Sequence, residues 1–154
     1  MDESTKAVKA SSIPDPSVLV RGSGKSCAQA IVAGPHPVCA DEPFASGGTG
    51  TGPSPYDLLL AALGACTSMT VGMYARRKNW PLEGVVVRLR HIKVYADDCT
   101  GCETKTGILD RIDRELEFAG PLTDEQRSKL LEIAEKCPVH RTLKSGIDIR
   151  SWLA

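Results

Sequence analysis

Cysteine is the residue type in this chain best able to do chemistry, and its six copies fall into four kinds of setting. Cys66 lies inside residues 58–73, LLLAALGACTSMTVGM, a stretch apolar or small on every side, where a thiol is by default a small buried hydrophobe. Cys137 precedes Pro138, which suits the first position of a helix. That makes Cys137 the N-cap, where aligned peptide dipoles favour a thiolate, although the same position also fits an unreactive cap. Cys27 falls in a candidate strand and Cys39 beside His36 and Pro37; nothing near either in sequence would activate it, and both read as structural. Cys99-Thr-Gly-Cys102 is a lone C-x-x-C in a polar loop, open to half a zinc site, a redox pair or a turn. Structural zinc takes four donors, and here His91, Asp97 or Asp98 would have to complete the set, so the reading goes against metal. A thioredoxin-like role would need the pair to open a helix after a buried strand, which Glu103-Thr-Lys-Thr-Gly107 does not supply.

The elements that must position these sulfurs can be traced along the chain. Residues 1–15 are polar and expected to be loosely held. Residues 18–21 and 26–33, split by Gly22-Ser23-Gly24, read as a hairpin that residues 38–40 extend. Four glycines in residues 46–53 make a loop, since ordering them costs too much backbone entropy. Ser54-Pro55-Tyr56-Asp57 then opens a helix with an N-cap serine, a first-turn proline and a carboxylate three residues after the cap. This helix should run to about Lys78. Its all-round apolar character predicts burial on every side, and its sixteen-residue apolar stretch is too short to span a membrane.

Residues 85–95 alternate as a strand, but Val87, Leu89 and His91 share one face while Ile92 and Val94 take the other. A bulge or a change of partner surface near His91 would account for that. Residues 108–118 fit a helix through Leu109, Ile112 and Leu116, and a strand through Ile108, Ile112, Leu116 and Phe118. Thr123-Asp-Glu-Gln126 is a capping box opening a helix to about Lys136, Pro138 opens a short one ending at Ser145-Gly146, and residues 147–152 read as a last strand. Strands grouped before and after a helix, rather than alternating with helices, give an α+β class.

Composition removes several classes of function. The 154 residues match one domain, long enough to fold without disulfides or a metal. Nineteen basic and nineteen acidic residues leave no net charge to gather a nucleic acid or an anionic membrane, and seven aromatics are too few for base stacking. The first thirty residues carry no apolar run of signal-peptide length, so a cytoplasmic, reducing location is expected, and the thiols are not read as a disulfide framework.

Residues 52–87, GPSPYDLLLAALGACTSMTVGMYARRKNWPLEGVVV, followed about seventy residues after Cys66 by CPVHRTL, resemble the OsmC/Ohr family of osmotically inducible and organic hydroperoxide resistance proteins. The Ala-Cys-Thr helix and the Cys-Pro-x-x-x-x-Leu segment carry the resemblance, which covers roughly residues 17–153. Ala40-Asp-Glu-Pro43, Gly47-Gly48 and the Cys99 loop look like a less characterised branch. The resemblance implies an α+β, OsmC-like fold with antiparallel sheets, a long central helix and an intertwined homodimer, and it decides residues 108–118 as strand. It further implies a cysteine-based peroxidase without cofactor, in which Cys66 attacks an organic hydroperoxide, becomes sulfenic acid, is resolved by Cys137 to a disulfide, and is returned by a dithiol reductant. A cation must offset the cost of ionising a buried Cys66, and the family's first-hairpin arginine matches Arg21, with Lys25 second. Where the family places a glutamate that orients this arginine, the chain has Tyr56. Asp57 and Glu42 are the candidates to replace it. Asp57 lies about 13 Å along its own helix from Cys66 and could act only across subunits or through Arg21. The rival readings are a protein of the same fold that binds a small apolar ligand without turnover, and a thiol redox sensor.

Overall fold

The computed structural model describes residues 17–95 and 107–153, and the Cys99-Cys102 pair lies outside them. The chain forms two compact units, one of residues up to Ser54 together with those from Asp148, the other Pro55–Ile147.

In the first unit, β1 (Val18–Gly22), β2 (Gln29–Ala33) and β3 (His36–Ala40) make an antiparallel meander in chain order. The strand expected from Ser26 begins at Gln29 and leaves Cys27 in the preceding bend. After a single 3-10 turn at Phe44–Ser46, the glycine loop folds around Asp41, which is buried at 2% exposure. Its Oδ2 accepts from the backbone N–H and hydroxyl of both Thr49 and Thr51, at 2.7 to 3.1 Å, and Oδ1 accepts from the Glu42 N–H at 2.8 Å. The Thr49 hydroxyl is the foremost of the donors that hold this carboxyl far below its ordinary value of 3.8. Its contribution to stability is therefore complete above the unfolded value and is lost as the pH falls below it. Asp41→Asn turns an acceptor into a donor facing four hydrogens. The variant should melt lower than the parent at neutral pH, and the gap should narrow on acidification; equal melting across the whole range would refute the clamp.

The last strand expected at residues 147–152 does not form. The segment has no ladder partner among the described residues, and Ile147, Ile149 and Trp152 are exposed, so alternation alone produced no sheet.

The second unit is built on α1 (Pro55–Arg77), which starts where Pro55 predicts, with Asp57 in its first turn. It ends in a Schellman motif: Asn79 takes φ 52, Asn79 N–H reaches the Arg76 carbonyl and Trp80 N–H the Ala75 carbonyl. The expectation of burial on every side is corrected. Leu63, Thr67, Val71 and Ala75, one stripe at four-residue spacing, are buried with Gly64, whereas Met69 and Met73 are 66% and 63% exposed. Among the described residues, cover is supplied for one face only. At 23 residues α1 also exceeds the sixteen-residue stretch and is long and apolar enough to cross a membrane by composition, yet its buried stripe packs as a core helix does.

That stripe lies on the inner face of a two-stranded ribbon, β4 (Gly84–Tyr95) against β5 (Ile108–Ala119). The two elements approach closely at Gly64, where a Cβ would sit 2.9 Å from a Leu89 methyl and displace that side chain's end. Residues 108–119 are strand throughout, as the resemblance decides. The ladder runs unbroken from Gly84↔Ala119 to Tyr95↔Ile108, so no bulge causes the face switch near His91. His91 instead stacks on Tyr56 of α1, with ring centroids 4.3 Å apart, while Ile92 and Val94 stay on the other face. The capping box of α2 (Asp124–Ala134) is present in both directions between Thr123 and Gln126, and α3 (Pro138–Ser145) follows. Val71, Ala75, Leu122, Leu130 and Ala134 form the core, flanked by Trp80, Leu116 and Phe118.

Candidate active site

Cys66 is half-buried at mid-helix in α1, next to Thr67 of the buried stripe. Cys137 is completely buried between α2 and α3 and has the extended backbone of an N-cap, φ −62 and ψ 137. Its Sγ accepts from the His140 backbone N–H at 3.3 Å, the bond that Pro138 at the first helical position sets up. Packing of both helices on α1 brings this sulfur to 3.6 Å from Thr67 Oγ1. Both cysteines are free thiols.

Arg114 completes the cluster. It stands on the inner face of β5 opposite Leu89, and its side chain is only 7% exposed. Nη1 donates to Thr67 Oγ1 at 2.8 Å and to the Ala134 carbonyl at 3.3 Å, and Nη2 donates to Glu135 Oε1 at 2.6 Å. The other Glu135 oxygen lies 3.2 Å from Nε2 of His140. Thr67 therefore has its oxygen fixed by a guanidinium, and its single proton lies between the Leu63 carbonyl at 2.8 Å and the Cys137 sulfur at 3.6 Å.

Electrostatics follow from this geometry. Burial pushes the Cys137 thiol up. The His140 N–H, the Thr67 hydroxyl, the Cys66 thiol and the Arg114 charge together outweigh burial and bring it below its ordinary value. Burial likewise lowers His140; Glu135 opposes that, and the positive Arg114 and Lys144 add to it, so the imidazole stays neutral near neutral pH. Near the cluster runs a groove of about 790 Å³ whose lining is mainly charged, Arg114, Glu135 and His140 standing among residues of both signs from β4 and β5, with Leu63, Leu89, Ile112 and Leu143 as its apolar part; neither cysteine lines it.

The other expected residues are placed as follows. Arg21 is exposed on β1 and Lys25 exposed in the turn after it; Glu42 is half-buried, its N–H on Asp41; Asp57 is exposed on α1. The thiols of Cys27 and Cys39 donate to the carbonyls of Gly47 and Thr51. His91, considered for zinc, lies 2.7 Å from Asp110, which also takes Lys93 at 2.9 Å. Among the described residues no group of three His, Cys, Asp or Glu side chains is arranged for a metal. Arg114, Glu135 and Thr67 are the members that sequence reasoning missed. One signal was available for Arg114: once residues 108–118 are taken as strand, Ile112, Arg114, Leu116 and Phe118 share a face, so a lone cation lies on the apolar side.

Comparison with known proteins comes to the same fold. Solved structures that resemble the chain include a Psychrobacter arcticus protein provisionally named for osmotic stress induction and a detoxification response (TM-score 0.65, 20% identity, 84% of this chain and 88% of that one). An OsmC-like protein from Mycoplasma pneumoniae gives 0.63, 17%, 82% and 85%. An organic hydroperoxide resistance protein from Legionella pneumophila gives 0.58, 21%, 80% and 85%. No curated protein sequence matches the chain. The family model for OsmC-like proteins matches residues 48–151, a span that runs from the glycine loop past both cysteines of the cluster, and on that match the chain belongs to the OsmC-like family.

Proposed function

We propose that the protein is a thiol-dependent peroxidase that reduces organic hydroperoxides, with Cys66 as the attacking sulfur and Cys137 as the resolving one. The observation that carries this reading is the packing of the α3 cap on α1, which sets the free thiol of Cys137 against Thr67, the chain neighbour of the free Cys66, beside a buried arginine. The family match and the hydroperoxide resistance name of the Legionella neighbour support it. Cys137 has no exposed surface, so Cys66 is the sulfur that a substrate meets. Its thiolate attacks the terminal peroxide oxygen: the S–O bond forms, the O–O bond breaks, and the alkoxide takes a proton from water and leaves as alcohol. Cys137 then attacks the sulfenic sulfur, forming the disulfide and releasing water, which protects Cys66 from irreversible oxidation.

The cycle closes with an external dithiol, which fits a reducing, cytoplasmic setting. We further read Arg21, with Lys25 behind it, as a second cation for the site, and Asp57 or Glu42 as its orienting carboxylate. A second copy of the chain would cover the exposed Met69 and Met73 face, giving a homodimer; light scattering should return twice the chain mass, and a stable monomer at micromolar concentration would refute this. For the activity, cumene hydroperoxide should be consumed over many turnovers with dithiothreitol present. Consumption no faster than that by dithiothreitol alone would overturn the assignment.

A further inference from the structure

We propose that Thr67 is a positioning residue for the resolving step, a hydroxyl whose proton turns from the Leu63 carbonyl to the Cys137 sulfur when that sulfur ionises. Its effect on turnover rests on the peroxidase reading above, in which Cys137 resolves. The turning of the hydroxyl belongs to the reduced protein and can be observed without peroxide.

A threonine inside a helix commonly donates to the carbonyl four residues back, and two in α1 do so. Thr70 Oγ1 donates to the Cys66 carbonyl at 2.7 Å and makes that bond alone among the described residues. Thr67 Oγ1 lies 2.8 Å from the Leu63 carbonyl but differs from Thr70 in every other respect. It is completely buried, its oxygen takes a hydrogen from Arg114 Nη1 at 2.8 Å, and the Cys137 sulfur stands 3.6 Å away. Two acceptors thus share one proton. Passing it from one to the other needs only rotation about the Cβ–Oγ1 bond, because the guanidinium keeps the oxygen in place.

The charge on the sulfur decides which acceptor wins. A neutral thiol accepts weakly, so the nearer carbonyl keeps the proton; a thiolate accepts a charge-assisted bond about twice as strong as a neutral one and draws the proton over. Arg114, by donating to the same oxygen, polarises the hydroxyl and makes it the better donor. The other groups around the sulfur leave this task to Thr67. The His140 backbone N–H, 3.3 Å away, is a fixed donor; Glu135 at the end of α2 is engaged by Arg114 and His140; the His140 ring and Lys144 on α3 carry no bond to the sulfur; and Cys66 is the chain neighbour of Thr67 on α1. In the resolving step Cys137 gives its thiol proton to water and its thiolate attacks the sulfenic sulfur. The S–S bond forms, the S–O bond breaks, and the departing hydroxide takes up a proton. Thr67 transfers no proton itself. It enlarges the fraction of Cys137 that is thiolate before attack, and the accompanying loss of nucleophilicity offsets only about half of that gain.

The test uses the reduced full-length protein and two readouts, a nuclear magnetic resonance titration and the lifetime of the sulfenic acid after rapid mixing with cumene hydroperoxide. In the parent, the coupling between the Thr67 hydroxyl proton and its Cβ proton should change with the same midpoint as the Cys137 β-carbon signal, while that of Thr70 keeps its value. Thr67→Val should raise the Cys137 midpoint, and Thr67→Ser should return it. Dimedone trapping at neutral pH should find the sulfenic acid about three to ten times longer-lived in Thr67→Val, the loss expected from one hydrogen bond to a charged group after the nucleophilicity offset. That gap should close as the pH rises through the ordinary thiol range, and Thr67→Ser should show none; a loss of packing would leave a gap at every pH. A Thr67 coupling that stays constant while Cys137 titrates overturns the proposal, and so does a Thr67→Val protein with the parental midpoint or the parental lifetime and pH profile. If Thr67→Val does not fold, the coupling in the parent decides. If the parent does not react with peroxide, the peroxidase reading fails, and the titration still decides whether the hydroxyl turns.

Discussion

Arg114→Met is expected to slow oxidation of the dithiol by about a hundredfold or more, the cost typical of removing one preorganised charged donor from a reacting site. Methionine keeps the apolar stem of the side chain but removes the fork that holds Thr67, the Ala134 carbonyl and Glu135 together. Without it the Cys137 titration should move up, and that of His140 should move up as well, because the same positive charge depresses both. Stability should fall by about 1.5–3 kcal/mol, the usual worth of a hydrogen bond to a charged group, with no full buried-pair penalty because Glu135 is half open to solvent. Arg114→Lys should recover part of the stability and little of the rate, since a compact ammonium cannot reproduce the planar fork whose separate nitrogens reach Thr67, Ala134 and Glu135. Stopped-flow oxidation and urea unfolding of the two variants separate these effects. An Arg114→Met protein with parental rate would remove the guanidinium from the account.

Cys66→Ser carries the largest expected effect. Serine fits the half-buried position on α1 with little change of volume, so the fold should persist, while peroxide consumption should drop to that of the remaining thiols. Cys137 cannot replace it, because its sulfur has no exposed surface. Cys27 and Cys39, each with its thiol on a loop carbonyl, stay alkylatable and inert to one equivalent of peroxide in this account. Turnover retained in Cys66→Ser would shift the chemistry to another thiol, with Cys99 and Cys102 the first to examine.

Much of the frame was legible from sequence because local signals there have local causes. Thr123 with Gln126, Pro138 after Cys137 and Pro55 at the head of the apolar helix each satisfy or remove backbone donors at a helix start, and each starts a helix in the structure. What failed depended on partners far away in the chain. Among the described residues, 147–152 alternate like a strand but meet no ladder, and α1 is apolar all round while the described residues cover only its Leu63-Thr67-Val71-Ala75 stripe. The two cysteines were named through the family resemblance, whereas Arg114 was passed over, since its place beside Thr67 shows only once residues 108–118, ambiguous in pattern, are taken as a strand in this register. Asp41 was hidden for a similar reason: its donors come from a glycine loop whose path no periodicity describes.

The most direct measurement is peptide mapping by mass after one equivalent of cumene hydroperoxide is added to the reduced protein. The account predicts a single new disulfide joining Cys66 and Cys137 within one chain, formed in step with loss of the peroxide and absent from Cys66→Ser, with Cys137→Ser stopping at sulfenic acid on Cys66. Peroxide consumed with both sulfurs still free, or a disulfide that joins other cysteines, would contradict it.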